Sequence, residues 1–113
     1  MRIYLAGPMR GVPDFNFPAF DFAANNLRKQ GFEVFSPAEK GVEHSMIDNP
    51  DLQDDEEFRR EVFELDTQWI CRNADAVALL PGWEKSLGAK AERALAEALG
   101  LTIIILGKEY ING

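Results

Sequence analysis

The sequence has very few of the residues that build disulfides and metal centres. Its 113 residues include one cysteine, Cys71, and one histidine, His44. One cysteine forms no internal disulfide, and a histidine without a second histidine or cysteine predicts no metal site. This cysteine usage is typical of a reducing compartment. We therefore expect a cytoplasmic protein whose chemistry uses no metal.

Basic residues are also scarce, since 12 lysines and arginines face 19 aspartates and glutamates, for a net charge of −7. An acidic surface argues against binding to nucleic acid or to an anionic membrane, although a local cluster of donors can still hold a small nucleotide. No apolar run reaches the length that spans a membrane, and the first residues enter a strand with no charged leader. We expect neither a nucleic-acid nor a membrane partner.

The length of the chain allows one domain with a single core, which we predict over 1–113. It leaves no room for a separate substrate domain. An enclosed pocket would then need a second subunit, so we expect a homodimer or a higher homo-oligomer.

Short apolar strands alternate with amphipathic helices along the chain. Strands are predicted at 3–6, 32–35, 75–80 and 101–106, and helices from 17 to the terminating glycine at 31, at 57–72 and at 87–99. This alternation predicts an α/β fold, a flavodoxin-like doubly wound parallel sheet in the order 2-1-3-4 with helices on both faces. The segment 36–54 has no periodicity, and we expect a long structureless loop there that borders the site.

Two polar segments follow the first and third strands, which lie side by side at the switch point of this sheet. The first is the loop 7–11, whose backbone N–H groups and single cation suit a phosphate or a sugar hydroxyl. The second is the turn 81–86, whose serine caps the next helix or donates to a ligand, and whose tryptophan stacks on a base or fills a subunit contact. The ligand-binding residues predicted here are Gly7, Met9, Arg10, Gly11, Trp83, Ser86 and Gly88.

Two acids and a tyrosine are the candidate catalytic residues. A helical wheel gives the helix at 87–99 a buried stripe of Leu87, Ala91, Ala94, Leu95 and Ala98. Glu92 lies at the flank of that stripe, either as a solvated surface acid or as an acid of the pocket. Tyr4 either packs in the core or presents its hydroxyl to Glu92. Asp75 starts a strand, where it either bonds local backbone or reaches the pocket as a second acid.

Two motifs carry a family resemblance. They are Ile3-Tyr4-Leu5-Ala6-Gly7-Pro8-Met9-Arg10-Gly11 and the stretch from Ala74-Asp75-Ala76-Val77 through Ser86-Leu87-Gly88 to Glu92. Together they resemble the nucleoside 2-deoxyribosyltransferase and nucleotide N-glycosidase superfamily, and more closely a small phage and bacterial branch of it. The resemblance implies a nucleoside or nucleoside 5′-monophosphate as substrate, cleaved or exchanged at its N-glycosidic bond without a cofactor.

The resemblance also implies a role for each residue. Glu92 corresponds to the nucleophile that attacks C1′ of the sugar, and Tyr4 to the tyrosine that holds this nucleophile. Asp75 corresponds to the aspartate that contacts or protonates the base. The phosphate end corresponds to Ser86, Gly88 and Arg10. A carboxylate that traps an oxocarbenium-like centre is chemically sound, and water or another base as acceptor gives hydrolysis or transfer.

The sequence departs from the family pattern beside the nucleophile, where Lys90 and Ala94 replace small or glycine positions. This departure, with the long loop, favours an alternative function, a non-catalytic module that sequesters a nucleotide. A third possibility is a nucleotide phosphoribohydrolase of the Pro-Gly-Gly type, which Pro81-Gly82-Trp83 half resembles.

Overall fold

The computed structural model describes residues 1–112, and within them four strands form one parallel sheet. The strands are β1 (Arg2–Ala6), β2 (Glu33–Phe35), β3 (Ala76–Leu79) and β4 (Thr102–Ile105). They pair in parallel in the order β2-β1-β3-β4, with Tyr4 opposite Val77 in the central register. The predicted flavodoxin-like α/β fold and its strand order are confirmed.

The helices of the described residues are α1 (Phe17–Lys29), α2 (Pro37–Lys40), α3 (Glu56–Asn73), α4 (Leu87–Leu99) and α5 (Glu109–Asn112). Side-chain caps begin two of them. Asp55 accepts from the backbone N–H of Phe58 at the start of α3, and Ser86 accepts from that of Ala89 at the start of α4. None of these helices is long and apolar enough to cross a membrane.

Alternate side chains of β1 point into two different cores, as the period of a strand requires. Ile3 and Leu5 pack with α1 on one face of the sheet. Tyr4 and Ala6 pack on the other face, in a cluster that includes residues of α3 and α4. This alternation places the ring of Tyr4 beneath α4.

The segment 36–54 is not the structureless loop that we predicted. It contains α2 and two 3₁₀ helices, at Val42–Ile47 and Pro50–Asp54. Hydrogen bonds between residues three or four apart in the chain hold these turns, for example from the N–H of His44 to the carbonyl of Gly41. Single turns of this kind need no apolar periodicity, which is why the pattern did not reveal them.

The buried stripe predicted for α4 is also wrong, apart from the half-buried Leu95. Leu87 is 82% exposed, and Ala91, Ala94 and Ala98 are exposed as well. The buried residues are Ala89, Glu92 and Ala96. Small alanines let α4 approach the sheet closely, and Glu92 enters the interior because it has a hydrogen-bond partner there.

Two glycines next to the polar end of the sheet give a matched test of packing. A Cβ on Gly7 would stand 2.8 Å from Cβ of Leu80, whereas a Cβ on Gly88 would meet nothing within 4 Å. We expect Gly7→Ala to lower the free energy of unfolding by about 1–3 kcal/mol through overpacking. Gly88→Ala should leave it unchanged or raise it by up to about 1 kcal/mol, because alanine is the better helix former. Urea unfolding measures both, and equal effects would contradict the close contact at Gly7.

Candidate functional site

A cavity of about 540 Å³ opens at the carboxyl ends of β1 and β3. Its walls are the end of β1 and the loop after it, the start of α4, one side of α3, and part of the segment 36–54. This is the switch point of the sheet, because the strand order reverses between β1 and β3. The cavity therefore lies where open α/β sheets bind their ligands.

A short hydrogen bond joins Tyr4 and Glu92 on the cavity wall. The Tyr4 hydroxyl donates to Oε2 of Glu92 over 2.7 Å, and the two residues are only 1% and 7% exposed. Burial raises the pKa of Glu92 to about 8, against the lowering effect of the Tyr4 hydrogen bond and with a further increase from the charge of Asp66. Glu92 is therefore an acid of the pocket and not a solvated surface acid, and Tyr4 presents its hydroxyl to Glu92.

Two further acids line the same cavity, and the sequence reasoning missed both. Asp66 comes from α3 and Glu43 from the 3₁₀ helix at Val42–Ile47, and they are 4% and 5% exposed. Burial, followed by the hydrogen bond to Asp66 and the charge of Asp66, raises the pKa of Glu43 to about 10. Burial also raises the pKa of Asp66, although the neighbouring side chains of Glu43 and Tyr4 partly oppose this. The interior of the cavity is thus a cluster of carboxyl groups that retain protons.

The sequence pattern indicated one of these two acids, Asp66. Asp66 stands four residues after Val62 and four before Ile70, so it occupies the apolar face of α3. An acid in that position needs a buried partner, and this was the available clue. Glu43 lies among single helical turns with no periodic face, and nothing in the pattern singled it out.

Five of the seven predicted ligand-binding residues line the cavity, namely Gly7, Met9, Arg10, Ser86 and Gly88. Gly11 and Trp83 do not. The N–H of Gly11 donates to the side chain of Gln53 at the surface. Trp83 is half-buried and packs against the cluster that contains Tyr4, with the Arg93 guanidinium over its ring, 5.5 Å from the centroid. One face of the indole is therefore covered by Arg93.

Asp75 is at the wrong end of the sheet for the role we predicted. Its carboxylate accepts a hydrogen bond from the backbone N–H of Arg2 over 2.7 Å and lies 3.8 Å from Nε of Arg2. Both residues belong to the amino ends of their strands, and the cavity lies at the carboxyl ends. Asp75 is exposed there, so the strand-entry reading is correct and the acid beside Glu92 is Asp66.

The mouth of the cavity is lined by cations, whereas its interior is lined by acids. Arg10, Arg59 and Lys85 line it and are exposed, and Arg10 also pairs with Asp54 over 3.0 Å. Lys90, by contrast, is exposed on α4 and does not line the cavity. Ala94 is exposed as well and does not line the cavity either, so neither of the two residues that depart from the pattern of the resembled superfamily contributes to the cavity wall.

The chemistry available here is that of carboxyl groups and a phenol. Within residues 1–112, no group of three or more histidine, cysteine, aspartate or glutamate side chains is arranged to hold a metal ion. The cavity can place an anionic group at its mouth and a polar molecule beside Glu92, Asp66 and Glu43. Such a site supports nucleophilic attack by a carboxylate together with proton transfer from a neighbouring acid.

The raised pKa of Glu92 predicts how stability depends on pH. Between its ordinary pKa of 4.5 and about 8, the folded protein keeps the Glu92 proton that the unfolded chain releases. The free energy of unfolding should therefore fall as the pH rises through this range. Glu92→Gln cannot ionise at this position, so its free energy of unfolding should decrease less with pH than that of the wild type. Glu97→Gln, at an exposed position of the same helix, should show the wild-type decrease. Urea unfolding at several pH values measures this, and an unchanged slope in Glu92→Gln would contradict the burial of an ionisable group there.

A family model described as a domain of unknown function, DUF4406, matches residues 1–105. Comparison with curated proteins and with solved structures gave no match. The family match begins with the first residue of the sequence and ends with the last residue of β4, so it includes the whole sheet and every wall of the cavity. The chain belongs to the DUF4406 family.

Proposed function

We propose that the protein binds a nucleoside or a nucleoside 5′-monophosphate and cleaves or exchanges its N-glycosidic bond, with Glu92 as the nucleophile. The observation that carries this proposal is the buried hydrogen bond between Tyr4 and Glu92 on the wall of a cavity large enough for a mononucleotide. The reaction needs neither a metal nor an organic cofactor, since both reacting groups are side chains. A cytoplasmic location, where free nucleotides occur, is part of the proposal.

In the first step, the carboxylate of Glu92 attacks C1′ as the bond from C1′ to the base nitrogen breaks. Tyr4 donates to Oε2 and so fixes the carboxylate, which leaves Oε1 for the attack. The product of this step is a glycosyl ester of Glu92, as in retaining glycosidases. A tyrosine whose own pKa is raised well above its usual value by burial and by the neighbouring acids keeps its proton throughout.

The departing base needs a proton, and Asp66 supplies it in this proposal. It replaces Asp75 in the role that the family resemblance implied, because it lies in the cavity and its charge acts on Glu92. Water then attacks C1′ of the ester to give hydrolysis, or a second base attacks to give transfer. General acid assistance of this kind contributes about 10²–10⁴-fold to a rate.

The cations at the mouth favour a monophosphate over a bare nucleoside. Arg10, Arg59 and Lys85 are exposed beside the first turn of α4, where Ser86 and Gly88 line the cavity. A helix N-terminus and nearby cations stabilise a phosphate group. This local charge attracts an anion to a protein whose net charge is −7.

One observation favours the alternative, a module that sequesters a nucleotide without cleaving it. A pKa of about 8 leaves most of Glu92 protonated at neutral pH, and a protonated carboxyl group is a poor nucleophile. The two functions differ in whether free base appears.

We expect the wild-type protein to release free base from at least one member of a panel of ribo- and deoxyribonucleoside monophosphates and the matching nucleosides, assayed by chromatography. Its kcat/KM should rise as the pH approaches about 8, because only the carboxylate form of Glu92 attacks. Glu92→Gln should lose at least about 10³-fold in rate, as expected for a nucleophile, and keep its affinity in calorimetry.

The matched controls are Glu97→Gln on the same helix and Asp75→Asn at the far end of the sheet, both of which should keep wild-type rates. Calorimetric binding of a nucleotide with no release of base in the wild type would establish the sequestering function instead. A large loss of rate in Asp75→Asn would contradict the assignment of the acid to Asp66.

The exposed face of α4 supports the proposal of a homodimer. Leu87 lines the cavity and is 82% exposed, and Ala91, Ala94 and Ala98 continue the same helix face. A second copy packed on this face would bury Leu87 and close one side of the cavity. An exposed apolar stripe beside a binding site is typical of a protein interface.

We expect Leu87→Glu to turn the dimer into a monomer, as measured by sedimentation or light scattering, because the carboxylate would be buried without a partner. The KM for a nucleotide should rise in the same variant. Ile105→Glu, on an exposed position of β4, is the matched control and should remain a dimer. Dissociation by Ile105→Glu alone would place the interface on β4 instead.

A further inference from the structure

We infer that Glu43 and Asp66 form a dyad that shares one proton and acts as a single acid toward the departing base, with Glu43 as the positioning residue that holds the proton. This inference rests on the proposed function. It assigns a part in the reaction to a side chain from the segment 36–54, where the sequence pattern predicted only a loop.

The contact between the two carboxyl groups is the first step of the argument. Glu43 and Asp66 come from different elements, are 5% and 4% exposed, and line the same cavity. Each carboxyl group lies close enough to shift the pKa of the other. Two ionised carboxylates buried this close together would repel each other and would have no hydrogen to share, so one of the two groups carries a proton.

The surroundings of Glu43 place that proton on Glu43. Its Oε1 is buried and has no hydrogen-bond partner among the described residues. A negative charge on such an oxygen would be costly, whereas a neutral carboxyl group tolerates the site better. This oxygen lies against Gly41, where an added Cβ would meet both it and, at 2.7 Å, the backbone carbonyl oxygen of Pro37.

Among the side chains that the structure describes, those of residues 1–39 and 41–111, no cation takes the place of the proton. The side chains that shift the pKa of Glu43 are Asp66 from α3 and Glu92 from α4. Those that shift the pKa of Asp66 are Glu43 and Tyr4, the latter from β1. The nearest basic residues of the cavity, Arg10, Arg59 and Lys85, are exposed at its mouth. Burial raises the pKa of both dyad members, so the dyad keeps one proton across neutral pH.

The proton balance of the reaction fits this dyad. When Glu92 forms its bond to C1′, the electron pair of the broken bond goes to the base, and the single proton of the dyad moves from Glu43 to Asp66 and from Asp66 to the base. The dyad gains one negative charge while Glu92 loses one by becoming an ester, so the charge of the buried cluster is unchanged. Water that attacks the ester then returns a proton to the dyad, and its hydroxyl goes to C1′.

A pair of substrates separates proton donation from structural support. The first is a nucleotide that the wild-type protein cleaves, and the second is the 5-phosphate of a 4-nitrophenyl ribofuranoside or 2-deoxyribofuranoside, whose leaving group departs as an anion. In Glu43→Gln, we expect kcat to fall by about 10²-fold or more for the nucleotide, the usual contribution of a general acid, and by less than about 3-fold for the nitrophenyl compound.

Three further variants make the comparison sharp. Asp66→Asn should show the same dependence on the leaving group, and the double variant should be no slower than either single one, because the two groups act as a unit. Asp48→Asn, exposed in the same segment, is the control and should keep wild-type rates with both substrates. Equal losses with both substrates in Glu43→Gln, or no loss with the nucleotide, would overturn the dyad.

A titration of the protein without substrate tests the dyad separately from the proposed function. With ¹³C-labelled carboxyl groups, the wild type should show Asp66 and Glu43 responding to the same transition at alkaline pH, and this transition should vanish in Glu43→Gln. If the wild type cleaved neither substrate, the proposed function would fail while this titration still decided the dyad. Independent transitions for the two groups near their ordinary pKa values would overturn it.

Discussion

The hydrogen bond between Tyr4 and Glu92 is the interaction on which the site depends. It draws a carboxyl group into an interior that would otherwise exclude it, since an unpartnered buried acid costs several kcal/mol. Two features of the fold follow from it. The tyrosine must lie on the face of β1 that points toward α4. The face of α4 that packs on the sheet must include the acid.

The same interaction explains why the apolar side of α4 is left uncovered. Only one face of a helix can pack on the sheet, and in α4 that face contains Ala89, Glu92 and Ala96. Leu87 and the alanines that follow it are consequently exposed. A polar contact inside the protein is thus accompanied by an apolar surface on its outside, which is the surface assigned to the proposed dimer.

More of the fold than of the site could be predicted from the sequence. Alternating strands and helices lead to the parallel order β2-β1-β3-β4 because crossover handedness and strand adjacency leave few alternatives. That order allowed the contact of Tyr4 with Glu92, which the sequence left open beside a position for Tyr4 in the core. Asp75 received its role toward the base from the family resemblance, although its position at the start of β3 puts it at the end of the sheet opposite the cavity. Glu43 was missed because isolated helical turns have no periodic signature.

The separation of charge along the cavity has a consequence for the way in which a nucleotide would enter it. Exposed cations line the mouth and buried acids line the interior, so a phosphate is more favourable at the opening than in the depth. Under the proposed function, a nucleotide would therefore enter base first, with its phosphate held at the mouth by Arg10, Arg59 and Lys85. The distribution of charge would then favour one of the two possible orientations of the bound nucleotide, the one that places the base beside the buried acids.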